Sequence, residues 1–193
     1  MPRTKAFDEQ EVLTKAMELF WKQGYHATSM QDLVDHLGIN RASIYSTFGD
    51  KHALFQRAFD YYRNVNGIAM QDCLHQHPTV KEGIRALFSK AIDQSISDPD
   101  RKGCFVINAS SELVPGDEEL RSLIAQNHAQ FKGMFQSYLE LGESKGEFPA
   151  GKDLVTIAGL IFSLYNGIQV VAKVHANRDQ LLLQVDSILS LLD

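Results

Sequence analysis

Apolar residues recur three and four positions apart along almost the whole chain, and no alternating in–out pattern lasts for the length of a strand. This periodicity predicts an all-α chain. Val12, Leu13, Ala16, Leu19 and Phe20 make the first stripe, with Asp8 placed to cap it, Glu11 three residues on, and Gly24 to stop it. Thr28 or Ser29 can cap a short second helix, with Gln31 or Asp32 as capping-box partner, Leu33, Val34 and Leu37 inward, and Gly38 at its end. Ile39 and Asn40 alone separate it from a third helix over 41–48, with Asn40 as its cap. Gly49-Asp50 breaks and recaps the chain into a longer helix over 51–74. Pro78 opens a fifth, with Val80, Ile84, Leu87, Phe88, Ala91 and Ile92 inward. Asp98-Pro99-Asp100 is a turn, and a short sixth helix follows over 104–113. Pro115-Gly116-Asp117 starts a long seventh helix that ends near Gly146, and Pro149-Ala150-Gly151 is a loop. The last two helices cover 152–175 and 178–192. Nine helices and no sheet are expected, divided into a head over 6–66 and a body over 67–193.

With 193 residues, of which 44% are hydrophobic, the chain can bury a core. The stretch 154–172 carries no formal charge and approaches membrane-spanning length. It holds Thr156, Ser163, Asn166 and Gln169, however, and is flanked by Asp153 and Lys173, so a helix buried against protein is expected. The basic N-terminus has no apolar run behind it, which argues against a secretory signal and points to the cytoplasm. Two cysteines, Cys73 and Cys104, are too few for a disulfide framework and match no metal spacing. His75-Gln76-His77 has no clear third ligand, so no metal is expected; His128 and His175 read as packing or surface residues. No nucleophile elbow, zinc-protease, phosphate-loop or dinucleotide motif occurs, which points away from an enzyme and from a cofactor. The net charge is −5, and all of it falls in residues 67–193; residues 1–66 balance eight basic against eight acidic side chains. Any nucleic-acid face must therefore come from local placement.

Two short capped helices joined by a turn at Gly38 form a helix-turn-helix. Leu33, Leu37, Ile44 and Phe48 can hold the pair on the first helix. Arg41, Ala42, Ser43, Tyr45, Ser46 and Thr47 then point outward, a small, polar, lightly basic face of the kind a recognition helix presents to base edges. Arg41 can donate twice to a guanine, Ala42 can approach a thymine methyl, and Ser43 can reach base or phosphate. Tyr45 and Lys51 suit phosphates, as do the free N–H groups of the second helix near Thr28. A helical trio that serves packing alone is the competing reading.

The strings Thr28-Ser29-Met30-Gln31-Asp32-Leu33-Val34, Leu37-Gly38-Ile39 and 43–55 (Ser43-Ile44-Tyr45-Ser46-Thr47-Phe48-Gly49-Asp50-Lys51-His52-Ala53-Leu54-Phe55) resemble the DNA-binding signature of the TetR family, as do Ala16-Met17-Glu18-Leu19-Phe20 and Gly24-Tyr25 upstream. The resemblance is close over about 8–57, and the helix count suits the whole chain. It implies a nine-helix TetR-like fold in which Arg41, Ala42, Ser43, Tyr45, Thr47 and Lys51 face DNA, with Thr28 and Ser29 at a phosphate-facing helix start. Asn40 stands where the family often has Ser, and His52 where it often has Glu.

The resemblance also implies a homodimer that meets a near-palindromic double-stranded operator. Its two recognition helices would lie roughly 34–36 Å apart. The last two helices carry apolar residues on more than one face, more than a small body can bury. Leu154, Ile157, Ile161, Leu164, Ile168, Leu182, Val185 and Leu189 are the expected dimer residues, with internal burial as the alternative. Gly159 and Gly167 could allow close helix approach. In the family a ligand cavity lies between head and dimer helices, and the fourth helix links the two. Candidate lining residues are Tyr62, Asn66, Met70, Phe88, Cys104, Phe105, Asn108, Phe131, Phe135, Phe162, Tyr165, Asn166 and Gln169; plain core competes for every aromatic among them. That lining suits a neutral or weakly polar organic effector. Gly103-Cys104 at a helix start and Ala172-Lys173 late in the eighth helix resemble electrophile-sensing members of the family. A nearby ammonium would lower the Cys104 pKa and make the pair a redox sensor; a small buried hydrophobe is the alternative. A transcriptional repressor released by its effector is the leading expectation. A helical small-molecule-binding module without DNA binding is the rival.

Overall fold

The computed structural model describes residues 7–174 and 177–193. Among them the chain forms nine α-helices and a terminal 3₁₀ turn, with no strand: α1 (Glu9–Gln23), α2 (Met30–Leu37), α3 (Arg41–Phe48), α4 (Lys51–His75), α5 (Val80–Ser97), α6 (Phe105–Leu113), α7 (Glu118–Ser144), α8 (Leu154–Val174), α9 (Arg178–Leu189) and the turn Ser190–Leu192. His175, expected as a packing or surface residue at the end of the eighth helix, lies outside the described residues, as does the first residue of the expected head.

Helix starts follow side-chain chemistry. Asp8, Asn40, Asp50, Asp117 and Asn177 each accept backbone N–H groups of the helix they open. Ser29–Asp32 and Thr79–Glu82 are reciprocal capping boxes. The second of these moves the start of α5 from Pro78 to Val80. Likewise Asp153 accepts from Thr156 N–H at 3.0 Å, so α8 begins at Leu154 rather than at 152.

Two apolar clusters form. One joins the C-terminal half of α4 to α5, α7, α8 and α9 through Leu74, Ile84, Phe88, Phe135, Leu139, Ile161 and Val185. The other is the head, built from Ala16, Phe20, Leu33, Ile44, Leu54, Phe55 and Phe59, and it also takes in Phe105, Val106, Ala109 and Leu113 of α6 and Leu120 and Ile124 of α7. Part of the chain beyond 66 therefore completes the head's core. α8 is long and apolar enough to cross a membrane by length and composition. Here it packs on α5, α7 and α9, with Ile157, Ala158, Ile161, Tyr165 and Ile168 buried.

Candidate nucleic-acid interface and adjoining clefts

α2 and α3 are held as a pair by Leu33, Leu37, Ile44 and Phe48, all buried. Gly38 turns the chain between them at φ 68°, a left-handed value that a side chain would strain. The Ser29 amide and hydroxyl both bind the Asp32 carboxylate, which holds that carboxyl below the usual range. The Asn40 side chain accepts Ser43 N–H at 2.8 Å and fixes the first turn of α3. Arg41, Ala42, Tyr45 and Ser46 are exposed, and Ser43 and Thr47 are half-buried on the same helix. Arg41 has no ion-pair or hydrogen-bond partner among the described residues, so its guanidinium is available to a ligand. Arg57, which the sequence reading did not single out, braces α3 from behind: its guanidinium lies 4.8 Å from the Phe48 ring centre and donates to Thr47 O at 3.2 Å.

Two of the expected phosphate contacts have other roles. The Lys51 ammonium donates to Tyr25 O and Thr28 O, each at 2.9 Å, and lies 4.2 Å from the centre of the Tyr25 ring. It clamps the α1–α2 loop instead of projecting outward. Thr28 is completely buried, and its hydroxyl donates to Gly24 O at 2.6 Å. The cap of α2 is Ser29. His52 faces the body, with Nε2 3.9 Å from the Asp117 carboxylate that caps α7.

The expected dimer residues need a larger correction. Leu154, Ile157, Ile161, Ile168, Leu182, Val185 and Leu189 are all buried within one chain, and Leu164 is half-buried against the same core. Helix periodicity identified the apolar stripe, but its stronger face went to the protomer's own core. The outward apolar set is Val155, Leu160, Val170, Val171 and Val174 on α8, with Leu183 on α9 and Leu191 beyond it. A Cβ added at Gly159 or Gly167 would meet nothing within 4 Å in the protomer, so neither glycine serves packing inside it.

Two clefts share Gln169, one between head and body and the other between α6 and α8. The first, about 420 Å³, is lined by Trp21, Tyr62, Asn66, Gln94, Ser95, Lys102, Tyr165 and Gln169 among others. The second, about 430 Å³, is lined by Cys104, Ile107, Asn108, Ser111, Glu112, Gln169, Val170 and Lys173. Of the expected lining residues, Tyr62, Asn66, Cys104, Asn108, Tyr165 and Gln169 are brought to these clefts. Met70, Phe88 and Phe135 are sealed in the body core and Phe105 in the head core. Phe131 and Phe162 pack on the body core, and Asn166 Nδ2 bonds Phe162 O one turn back in its own helix. Aromatic rings bury more area than amides, so the core claimed most of them. Trp21 and Glu112 were missed. Trp21 Nε1 donates to Gly103 O at 3.0 Å, and its ring lies under the Lys102 ammonium and edge-on to Tyr62. As the single tryptophan, on a helix otherwise read as part of the head, it was a signal that could have been used.

At Cys104 the charge logic is the reverse of that expected. Burial pushes the thiol up, outweighing the downward pull of the Ile107 and Val106 amides, the Tyr62 hydroxyl and the Lys173 ammonium. The Tyr62 hydroxyl lies 3.9 Å from the sulfur, and burial, then Cys104, raises its own pKa well above the ordinary phenol value. Lys173 Nζ donates instead to Asn108 Oδ1 at 3.1 Å. Among the described residues no group of three His, Cys, Asp or Glu side chains could hold a metal.

Residues 12–58 match the family described as bacterial regulatory proteins, tetR family, and residues 81–185 match a tetracyclin repressor-like C-terminal domain. The chain is 36% identical over 195 residues to the uncharacterized HTH-type transcriptional regulator YezE of Bacillus subtilis (strain 168), covering all of both chains. It is 29% identical over 181 residues to the HTH-type transcriptional repressor ComR of Escherichia coli (strain K12), covering 93% of this chain and 86% of that one. Among solved structures, a cysteine-substituted TetR family transcriptional regulator CifR complexed with 26bp double-strand operator DNA superposes with a TM-score of 0.87 at 28% identity. That superposition covers 99% of this chain and 100% of CifR.

Proposed function

This chain belongs to the TetR family of bacterial regulatory proteins, and on that premise we propose that it is a homodimeric transcriptional repressor, released from a near-palindromic operator by a small organic effector bound between head and body. The observation that carries the reading is α3: a capped, rigidly backed helix that presents Arg41, Ala42, Tyr45 and Ser46 to solvent beside a buried scaffold. Ser43 and Thr47 flank that face, and Ser29 at the α2 start supplies the phosphate-side contact. ComR, named a repressor, and CifR, solved on operator DNA, support the direction of the assignment. A regulator of this kind would act on DNA in the cytoplasm, and the proposed role calls for no enzymatic step. The second subunit is expected on the outward face of α8 and α9, where Val155, Leu160, Val170, Val171, Val174 and Leu183 lie exposed.

The effector reading rests on the two clefts, whose walls mix Trp21, Tyr62 and Tyr165 rings with Asn66, Asn108, Gln94 and Gln169 amides. Asp98, Lys102, Glu112 and Lys173 add charge to the same walls, so the lining suits an organic molecule that carries polar groups. Modification of Cys104 beside Lys173 is the other route to release; burial of the thiol in its protonated form favours the reversible ligand.

Selection of duplexes from random-sequence DNA tests the whole reading. A near-palindromic site bound as a dimer, with affinity falling steeply as salt rises, is the expected result. Arg41→Ala should then cost about 1–3 kcal/mol at its preferred base pair and relax selection there, because a bidentate contact is lost. Recovery of no preferred duplex, alongside tight binding of small molecules, would support the module without DNA binding.

A further inference from the structure

The loop between α1 and α2 is gripped from both sides by opposite charges. On one side the Glu112 carboxylate of α6 accepts the Tyr25 N–H at 2.9 Å and the His26 N–H at 2.6 Å, one on each oxygen. On the other, the Lys51 ammonium of α4 donates to the carbonyls of Tyr25 and Thr28. Gly24 opens the loop at φ 87°, and a Cβ there would lie 2.8 Å from Glu112 Oε2, so the glycine makes room for the carboxylate. The loop ends in Ser29, the cap of α2. Whatever holds the loop therefore holds the DNA-side start of that helix.

Glu112 also forms part of the wall of the cleft that contains Cys104, Asn108 and Lys173. The α5–α6 loop that leads into this helix grips the end of α1 twice more, through Lys22 with Asp100 at 2.8 Å and through Trp21 Nε1 on Gly103 O. We propose that Glu112 is the positioning residue that couples the cleft to the DNA-facing surface: its two-oxygen hold on Tyr25 and His26 keeps the α1–α2 loop in the DNA-competent form, and an occupant of the cleft releases that hold by displacing α6 or its carboxylate. The inference rests on the regulator reading above and adds the residue through which regulation passes. Coupling is reciprocal, so DNA on the head must in turn steady the cleft wall.

That reciprocity can be read without knowing the effector. In a Cys73→Ala background Cys104 is the single thiol, and its rate of alkylation by N-ethylmaleimide reports opening of the cleft wall. A saturating operator duplex, obtained by the selection above, should slow that rate about fivefold or more, the span of ordinary coupling energies. In Glu112→Ala the duplex should still bind at higher concentration, yet saturation should leave the alkylation rate unchanged. Glu112→Gln keeps one acceptor oxygen of the two and should fall between; it also makes the comparison if the alanine variant does not fold. In hydrogen exchange, the Tyr25 and His26 amides should lose protection in Glu112→Ala while that of Ile44 and Phe48 is kept, a pattern that general destabilisation would not give. Equal slowing by the duplex with and without the Glu112 carboxylate overturns the proposal, as does a duplex that leaves Cys104 unprotected in the parent. If selection yields no duplex, the regulator reading fails and this inference falls with it, an outcome distinct from a duplex that binds without coupling.

Discussion

Lys51 illustrates how far one side chain's role depends on its surroundings. Its ammonium satisfies two carbonyls of the α1–α2 loop and sits against the Tyr25 ring, so it works inside the head. Lys51→Ala should therefore lower the thermal midpoint by removing charge-assisted bonds worth about 1–3 kcal/mol. It should leave the slope of log affinity against log salt intact. A slope reduced by about one, with stability unchanged, would instead mean a direct phosphate contact. Cys104 makes the same point for a titrating group. Gly103-Cys104 followed by a late Lys173 suggested a depressed thiol pKa, yet burial is the largest influence and acts upward. His128 is half-buried on Phe162, and burial, with Lys132 nearby, lowers its pKa.

At the scale of the element, α8 separates two jobs that sequence periodicity had merged. One face, with Ile157, Ile161, Tyr165 and Ile168, is spent on the protomer's own core. The other, with Val155, Leu160, Val170, Val171 and Val174, is exposed and apolar. Substitution should tell the faces apart. Leu160→Glu with Val171→Glu should yield a folded monomer in analytical ultracentrifugation, since two charges cannot be buried unpaired across a twofold contact. Ile161→Ala should instead cost about 2–5 kcal/mol of stability, as large-to-small core changes do, with the dimer mass retained. A dimer that survives both glutamates would place the contact elsewhere.

For the whole molecule, the head is not a separate package. Phe105, Val106, Ala109, Leu113, Leu120 and Ile124 lie beyond residue 66 and close the cluster formed by Phe20, Phe55 and Phe59. A fragment of residues 1–66 would expose that seam to water and lose its share of burial. It should show helical far-ultraviolet dichroism without a cooperative thermal transition, whereas the full chain melts cooperatively. A fragment that unfolds cooperatively on its own would contradict this arrangement. The same seam carries the Glu112 and Trp21 contacts, so the α1–α2 loop and the end of α1 are bonded directly to α6 and the loop before it.

Read alone, the sequence determined the local structure: the helices, their caps at Asp8, Asn40 and Asp50, the turn at Gly38, and the outward Arg41, Ala42 and Tyr45 of α3. These depend on interactions within a few residues, which composition and spacing encode directly. Tertiary structure alone decided which apolar face of α8 went inward, which aromatics became core and which cleft wall, and that Lys51 and Thr28 turn toward the loop. It also brought Glu112 to Tyr25 and His26 across more than eighty residues of chain. Such choices are competitions for burial and for hydrogen-bond partners between distant segments, and no local pattern records their outcome.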